Sequence, residues 1–463
     1  MNPIARKRGS LPFALPRTWP LAAGAARGAS VAPDKRPKAA CRLSMNLTIG
    51  HNLTKFGSVP FSIDLSRGQF RHGWLLGKSG TGKSTLLRNI IVAAIRAGIG
   101  VIVIDPHGDL VFDVFNYIPP DRLEDVLLID PENDRAPDLG LFDHPDREKA
   151  LQAFMALMEA HAAAGWGPET AHILRAATDA VLELEPNPTI LHVYKLLVRP
   201  DYAKAMLEKS ANPLVQDFYR QYYHDLKPQE RTRNFSHPLN KIEELMRPGL
   251  REFLCQTRHM SFTNIMDRRR ILLCRIPKGL MGERPAKVLG SLILSRINLA
   301  SFRRKKRNRQ MLVVIDEIHN FTDGIDFESM LAEGRKYGVH YLFATQTTEQ
   351  MRDERRGIYN DRIAFGNTSH IFSFRVSGDD SERIALNFGE ENSAPFLVKL
   401  PNYQFAGWSM QGNVPILTSP VSLHQFPDHA ESVPAFKAIA QAQHNTGRPK
   451  HEIHKGIEKI LAR

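Results

Sequence analysis

The chain has 463 residues, of which 42% are hydrophobic and 24% are charged, as expected for a globular protein with a full apolar core. No apolar run is long enough for a transmembrane helix, so we expect no direct membrane span. Three cysteines without metal-ligand spacing argue against a disulfide framework and favour a cytoplasmic location.

The net charge of +13 is concentrated at the N terminus. Residues 1–44 contain nine Lys/Arg and one Asp, a net +8, which leaves +5 for the rest of the chain. This segment has too few apolar residues to form a core, so we expect a basic, disordered tail over residues 1–44. An organellar targeting peptide, or an over-extended reading frame with Met45 as the true start, are the alternatives.

Residues 45–145 are predicted to hold an N-terminal β-element and the first part of a nucleotide-binding core. Two strand patterns, Asn46–Gly50 and Val59–Leu65, precede the apolar run Trp74–Leu76. Apolar residues then recur at helical spacing from Leu86 to Ile95. Between that strand and that helix lies a complete G-x-x-x-x-G-K-S phosphate loop, made of Gly77, Lys78, Ser79, Gly80, Thr81, Gly82, Lys83 and Ser84.

This loop has the residue types that bind a nucleoside triphosphate. Its glycines allow backbone N–H groups to surround a phosphate, and the helix start adds a partial positive charge. We expect Lys83 to reach the β- and γ-phosphates of ATP and the Ser84 hydroxyl to ligate Mg²⁺, with Thr85 as a further nucleotide contact. A chance glycine-rich turn is disfavoured because strand, loop and helix follow in the required order.

Two more buried strands are predicted after the loop, Val101–Asp105 and Val126–Asp130. Alternation of strand and helix predicts a right-handed, doubly wound, mainly parallel sheet. Asp105, His107 and Asp109 then lie at its carboxyl edge, where ligands bind. For these three residues we favour a turn-forming role over a catalytic one.

Residues 146–262 have helix-length periodic segments, separated by prolines, and little strand pattern. We predict an inserted all-α domain there. The alternative is that these helices only pack on the edge of the sheet.

Strand pattern returns in residues 263–426, the predicted second part of the core. The basic run at residues 303–309 has six Lys/Arg in seven positions and is typical of a solvated loop. Residues 427–463 are predicted as a C-terminal tail without a motif. The predicted strands are Ile271–Ile276, Met311–Glu317, Tyr341–Gln346, Ile371–Arg375 and Phe405–Met410.

Two polar strand ends complete the predicted site. Asp316 and Glu317 end a buried apolar strand, where Asp316 would hold Mg²⁺ and Glu317 would polarise the attacking water. Gln346 ends the next strand and could contact the γ-phosphate. The alternative is that these polar residues only mark the point where each strand enters solvent.

These motifs together resemble the HerA–FtsK superfamily of hexameric DNA-pumping ATPases, and in particular the TraD/TraG-like ATPase domains of type IV secretion coupling proteins. The resemblance covers about residues 46–420. The stretches that carry it are Leu76–Ser84, Val103–Leu110, Val314–Glu317, Leu331–Gly338, Ala344–Gln346 and Ser373–Val376.

The resemblance implies an α/β P-loop NTPase of the RecA/ASCE-like type, with a mainly parallel sheet and an inserted all-α domain. It implies ATP and Mg²⁺ as cofactors, DNA as a partner, assembly as a homo-hexamer, and possible membrane or secretion-system partner proteins. By the match to Leu331–Gly338, Arg335 is the arginine finger for a neighbouring subunit. Gln346 is the γ-phosphate sensor by the same comparison.

Two other functions remain open for such a sequence. A phosphotransferase built on the same loop needs an acceptor lid and no trans arginine, which Glu317 and Gln346 argue against. A DNA-binding, nucleotide-dependent switch or scaffold without translocation is the second alternative. ATP turnover with and without DNA distinguishes these functions from a motor.

Overall fold

The computed structural model describes residues 46–54, 57–64, 72–161, 166–388, 393–411, 414–423 and 431–462. The tail predicted over residues 1–44 lies outside them. Within the described ranges, no helix has the length and apolar character needed to cross a membrane.

The strands, numbered in chain order, include four of only two residues. They are β1 (Asn46–Thr54), β2 (Gly57–Asp64), β3 (Gly73–Leu76), β4 (Gly100–Asp105), β5 (Val126–Ile129), β6 (Arg135–Ala136), β7 (Ile271–Arg275), β8 (Met311–Ile315), β9 (Val339–Thr345), β10 (Arg352–Asp353), β11 (Ile358–Tyr359), β12 (His370–Ser373), β13 (Gln404–Gln411), β14 (Val414–Leu423) and β15 (Arg448–Pro449).

The helices fall into three groups along the chain. The first group is α1 (Lys83–Arg96) and α2 (Asp109–Phe115). Between β6 and β7 lie α3 (Arg147–His161), α4 (Pro168–Leu184), α5 (Ile190–Val198), α6 (Pro200–Leu207), α7 (Pro213–Tyr219), α8 (Pro228–Leu245), α9 (Arg251–Leu254) and α10 (Phe262–Asp267). The third group is α11 (Lys278–Met281), α12 (Glu283–Phe302), α13 (Phe327–Gly334), α14 (Asn360–Asn367), α15 (Gly378–Phe388), α16 (Ala394–Val398), α17 (Ala435–Asn445) and α18 (Lys450–Ala462).

One large sheet organises the described residues, in the strand order β2-β1-β14-β13-β12-β3-β9-β8-β4-β7-β5. The seven strands from β12 to β5 pair in parallel, as the alternation of strands and helices predicts. The other four pair antiparallel. Every residue of β4, β8 and β9 is buried, which explains why these strands read as continuous apolar runs.

The N-terminal strands are part of this sheet and do not form a separate element beside it. β1 pairs with β14, where Gly50 lies opposite Leu423. No sequence pattern predicts β14, the strand through which β1 joins the core. A pairing between segments so far apart in the chain has no local sequence signal.

The register of the parallel strands places several strand ends side by side. Leu76 of β3 lies opposite Thr345 of β9, and Ile315 of β8 lies opposite both Phe343 and Ile104. The residues that follow these strands therefore emerge along one carboxyl edge.

Helices α3–α9 lie within residues 146–262, where the sequence predicts helices, whereas α10 begins at Phe262 and extends to Asp267, in the segment predicted as the second part of the core. Their buried apolar residues, such as Ile173 and Leu191, belong to the same cluster as Ile102 and Leu272 on one face of the sheet. Four helices begin at a proline, the position that tolerates its missing N–H. Pro238 differs from the predicted pattern because it lies inside α8 and does not end the helix.

Two segments have more structure than the sequence suggests. In the basic run, Arg304 is buried, pairs with Asp267 at 3.3 Å, and donates to the carbonyls of Tyr337 and Gly338 at 2.9 and 3.0 Å. This arginine therefore ties the loop to the start of β9. At the C terminus, the Thr446 hydroxyl accepts a 2.8 Å hydrogen bond from the Leu128 N–H, so the segment after α17 satisfies a backbone donor of the edge strand β5.

Buried histidines lie near the amino ends of the central strands. The Nδ1 atom of His72 accepts a 3.0 Å hydrogen bond from the Tyr341 N–H, and His340 is the second residue of β9. Burial lowers the pKa of His72 to about 4 and the pKa of His340 to about 3, with Arg335 adding to both shifts. Both imidazoles are therefore neutral in the folded protein at neutral pH.

These histidines predict a loss of stability in mild acid. Below a pH of about 6.5 the unfolded chain binds protons that the folded chain excludes until the pH reaches about 4 or 3, so the free energy of unfolding falls as the pH falls. The free energy of unfolding, measured with urea, should fall between pH 6 and pH 5 in both proteins. The fall should be smaller by about 1.4 kcal/mol per pH unit in His340→Leu than in the wild type. The exposed His237→Leu variant is the control, and equal pH dependence in all three proteins would contradict this account.

Candidate functional site

The phosphate loop connects β3 to α1 and is held by three neighbouring segments. The Gly77 N–H donates to the Thr345 carbonyl at 3.3 Å, and the Lys78 N–H donates to the Arg375 carbonyl at 2.9 Å. The Thr81 carbonyl accepts a 2.7 Å hydrogen bond from the Tyr403 N–H. The ends of β9 and β12 and the start of β13 thus fix the shape of the loop.

Two glycines in the loop are required by space and by backbone angle. A Cβ at Gly77 would lie 2.6 Å from the Cβ of Phe374. Gly82 has a φ of 118°, and a Cβ there would lie 3.2 Å from both Phe374 and Tyr403. Only glycine fits these positions without displacing the segments that hold the loop.

The start of α1 presents backbone donors to the loop. Gly82 is its N-cap and provides no side-chain hydrogen bond, so the first-turn N–H groups are not capped by a side chain. Lys83 Nζ donates to the Gly77 carbonyl at 2.5 Å and to the Lys78 carbonyl at 3.3 Å. Burial lowers the pKa of Lys83, while Glu317 and Asp316 oppose that shift. A cation and a helix N-terminus together suit an anion.

Asp316 and Glu317 lie at the carboxyl end of β8, facing the loop. Burial is the main cause that raises the pKa of Asp316 to about 7, and the negative charges of Asp105 and Glu317 add to it. Lys83 partly offsets this shift. The two carboxyl groups therefore offer closely spaced oxygen atoms, and oxygen atoms suit a hard divalent cation.

Glu317 is held in an unusual conformation. Its φ and ψ of 47° and 53° are left-handed, which costs a non-glycine residue about 1–2 kcal/mol. Its Oε1 accepts a 3.1 Å hydrogen bond from Gln346 Nε2, and its Oε2 lies 3.5 Å from His319 Nδ1. Such strain is typical of functional sites, where neighbouring contacts fix the conformation.

The loop after β9 fixes Gln346 opposite Glu317. Gln350 Oε1 accepts from the N–H groups of Gln346 and Thr347 at 3.0 and 3.1 Å. Asp380 Oδ1 accepts from the N–H and hydroxyl of Thr348 at 2.8 and 2.7 Å. These hydrogen bonds fix the backbone of the loop that carries Gln346.

Asp105 is a structural residue of this edge. Its Oδ1 accepts from the His107 N–H at 2.8 Å, and its Oδ2 accepts from Leu110 and Val111 at 2.9 and 3.2 Å. These bonds shape the turn into α2, the role that the sequence analysis favours. The exposed His107 side chain lines the cleft.

The cleft gathers most of the predicted residues. Its lining consists of Ser79, Gly80, Gly82, Lys83, Ser84, Thr85, His107, Asp316, Glu317, Gln346 and Tyr403. Gly77, Lys78 and Thr81 shape the loop from behind. Arg335 is exposed on the 3₁₀ turn Arg335–Tyr337 and is not part of the lining.

Sequence reasoning missed Tyr403, which lies between α16 and β13 and reaches the cleft. Its only local signal is the turn-forming pair Pro401-Asn402 before it. The cleft as a whole offers donors for a phosphate chain, carboxylates for a divalent cation, and a carboxylate–amide pair that can orient a water molecule.

Comparisons with known proteins agree with this architecture. The model of the family described as helicase HerA, central domain, matches residues 47–328, and the model described as the TraM recognition site of TraD and TraG matches residues 310–392. A comparison with curated proteins finds no match.

Solved structures share the fold at low sequence identity. The plasmid coupling protein TrwB in complex with ADP and Mg²⁺ is 17% identical with a TM-score of 0.59, over 79% of this chain and 88% of that chain. The unbound form of the conjugative coupling protein TrwB lacking 70 N-terminal residues is 16% identical with a TM-score of 0.61, over 86% and 91%. VirB4 of Thermoanaerobacter pseudethanolicus is 15% identical with a TM-score of 0.59, over 82% and 96%.

Proposed function

Because this chain belongs to the family of the HerA helicase central domain, we propose that it hydrolyses ATP to move DNA, as a ring of six subunits with shared active sites. The observation that carries the proposal is the convergence of Lys83, Asp316, Glu317 and Gln346 on one cleft at the carboxyl edge of a parallel sheet. These residues come from three separate parts of the chain, because Asp316 and Glu317 are adjacent, and each has a distinct role in phosphoanhydride hydrolysis.

The residues of the cleft fit ATP with Mg²⁺. The Ser84 hydroxyl and the Asp316 carboxylate would hold the ion, and both are oxygen ligands of the kind that Mg²⁺ prefers. Burial, and after it the nearby charges of Asp105 and Glu317, disfavour the ionised Asp316 carboxylate and raise its pKa, and a bound divalent cation would stabilise that ionised form. When bound, Mg²⁺ neutralises phosphate charge.

Lys83 and the first turn of α1 bind the phosphate chain. Lys83 replaces its hydrogen bonds to the loop carbonyls with contacts to the β- and γ-phosphates. Glu317 positions and polarises the attacking water, and Gln346 orients the Glu317 carboxylate through their 3.1 Å hydrogen bond. Gln346 also contacts the γ-phosphate and so reports its loss to the loop after β9.

The similar proteins support DNA as the polymer. The matching family model is described as a helicase domain and TrwB is described as a plasmid coupling protein, and both descriptions favour DNA. The match of residues 310–392 to the TraM recognition site of TraD and TraG favours partner proteins of a DNA-secretion system on this region. The helices between β6 and β7 form the all-α domain on one face of the ring.

The first prediction separates binding from hydrolysis. Lys83→Ala removes the cation of the phosphate cradle and should abolish ATP turnover. Glu317→Gln keeps the shape of the side chain but cannot accept a proton from water, so it should bind ATP normally and lose at least a hundredfold in turnover. Steady-state phosphate release and equilibrium binding of ATP measure the two effects.

Glu382→Gln, at an exposed position of α15, is the matched control and should keep wild-type turnover. If Glu317→Gln releases phosphate at the wild-type rate, Glu317 does not position the water.

The second prediction concerns Arg335 as the residue that completes a neighbouring site. It lies on the exposed turn between α13 and β9, away from the cleft of its own chain. A trans arginine is worth about 10³–10⁵ in rate, because it stabilises charge in the transition state. Arg335→Ala should therefore lose turnover while keeping ATP affinity, and the neighbouring exposed Lys336→Ala should keep both.

Mixing variants tests the trans geometry. Arg335→Ala subunits have an intact cleft, and Lys83→Ala subunits have an intact Arg335. Mixed rings should regain turnover that neither variant has alone, because some junctions pair an intact cleft with an intact arginine. No recovery at any mixing ratio would remove Arg335 from the shared site.

A further inference from the structure

We propose that the Tyr403 ring is the contact surface for the base of the nucleotide, the part of the ligand that the phosphate loop does not reach. This inference rests on the proposed function, since it concerns the same ATP. It adds a residue that determines affinity for the nucleoside end of the ligand.

The backbone of Tyr403 is fixed against the phosphate loop. Its N–H donates to the Thr81 carbonyl at 2.7 Å, and its carbonyl accepts from the Leu423 N–H at 2.9 Å. A Cβ built on Gly82 would lie 3.2 Å from Tyr403 Cδ1, so the ring lies directly beside the start of α1. These contacts fix the backbone of Tyr403 beside the phosphate loop.

The order of strands places Tyr403 on the nucleoside side of the loop. Glu317 and Gln346 follow β8 and β9, which lie on one side of β3, and in the proposed function they act at the terminal phosphate. Tyr403 precedes β13, which lies on the other side of β3 beyond β12. A phosphate chain that has its terminal phosphate beside Glu317 directs its sugar and base toward the side of Tyr403.

The conformation of Tyr403 also indicates a ligand. Its φ of 62° is left-handed, which is rare for an aromatic residue, and the residue is 42% exposed. Core packing does not explain a large aromatic ring that is half in solvent on an unfavourable backbone. A flat, exposed aromatic face beside a phosphate site is suited to stacking on a base.

The charged neighbour Arg375 fixes the segment that carries the ring. Arg375 Nη2 donates to Asn402 Oδ1 at 2.8 Å, and the Arg375 carbonyl accepts the Lys78 N–H at 2.9 Å. The same residue thus contacts the segment before Tyr403 and the phosphate loop. This link holds the distance between the aromatic face and the phosphate cradle.

Binding of ATP and of inorganic tripolyphosphate, each with Mg²⁺, tests the proposal by separating the base from the phosphates. Tyr403→Ala and Tyr403→Gly should raise the Kd for ATP by about tenfold to a hundredfold, the usual effect of losing one base–aromatic stack. Tyr403→Phe keeps the flat ring and should stay within about threefold of the wild type. The Kd for tripolyphosphate should be unchanged in all three variants.

The glycine variant guards against a folding defect, because glycine adopts the left-handed backbone without strain. An equal loss of affinity for ATP and tripolyphosphate would overturn the proposal, as it would show that Tyr403 acts through the shape of the loop. An unchanged Kd for ATP in Tyr403→Ala would overturn it as well.

The readout is binding and not turnover, so the two proposals fail in different ways. If the wild-type protein binds ATP tightly without hydrolysing it, the proposed motor function is wrong. The binding measurements on the Tyr403 variants still test the contact with the base in that case. A wild-type protein that binds tripolyphosphate as tightly as ATP overturns a role for the base and leaves the hydrolytic site standing.

Discussion

The parallel pairing of β3, β9 and β8 is the constraint on which the site depends. It brings the phosphate loop, Gln346 and Glu317 to one edge of the sheet, although they are far apart in the chain. A slip of one residue in β9 would move Gln346 by about 3.3 Å along the strand. The hydrogen bond from Gln346 to Glu317 is 3.1 Å long, so such a slip would break it. The buried apolar side chains of these strands fix the register and therefore fix the chemistry.

The parts of the site that could be predicted from the sequence are those with a local sequence pattern. The phosphate loop, the acids after β8 and the glutamine after β9 follow apolar runs, and their meeting at one edge follows from parallel strands. The pairing of β1 with β14 and the approach of Tyr403 to Thr81 depend on contacts between distant segments. The burial of Arg304 was not predictable either. A basic run looks solvated until its carbonyl and carboxylate partners are known.

The site concentrates features that are unfavourable in isolation. Asp316 is buried beside two other acids, Glu317 adopts a left-handed backbone, and α1 begins without a side-chain cap. In an ordinary core each feature would be selected against, since each leaves charge, strain or polar groups uncompensated. All three suit a metal-bound polyphosphate, which combines positive and negative charge within a few ångströms.

ATP turnover measured with and without DNA tests the central claim, that this cleft drives movement on DNA. A motor couples its hydrolytic step to the polymer, because each subunit completes the site of its neighbour only when the ring engages its track. The account predicts that DNA raises the turnover rate of the wild-type protein at saturating ATP, and that this increase is lost in Arg335→Ala. Turnover that is slow and equal with and without DNA would indicate a nucleotide-dependent switch and would contradict the account.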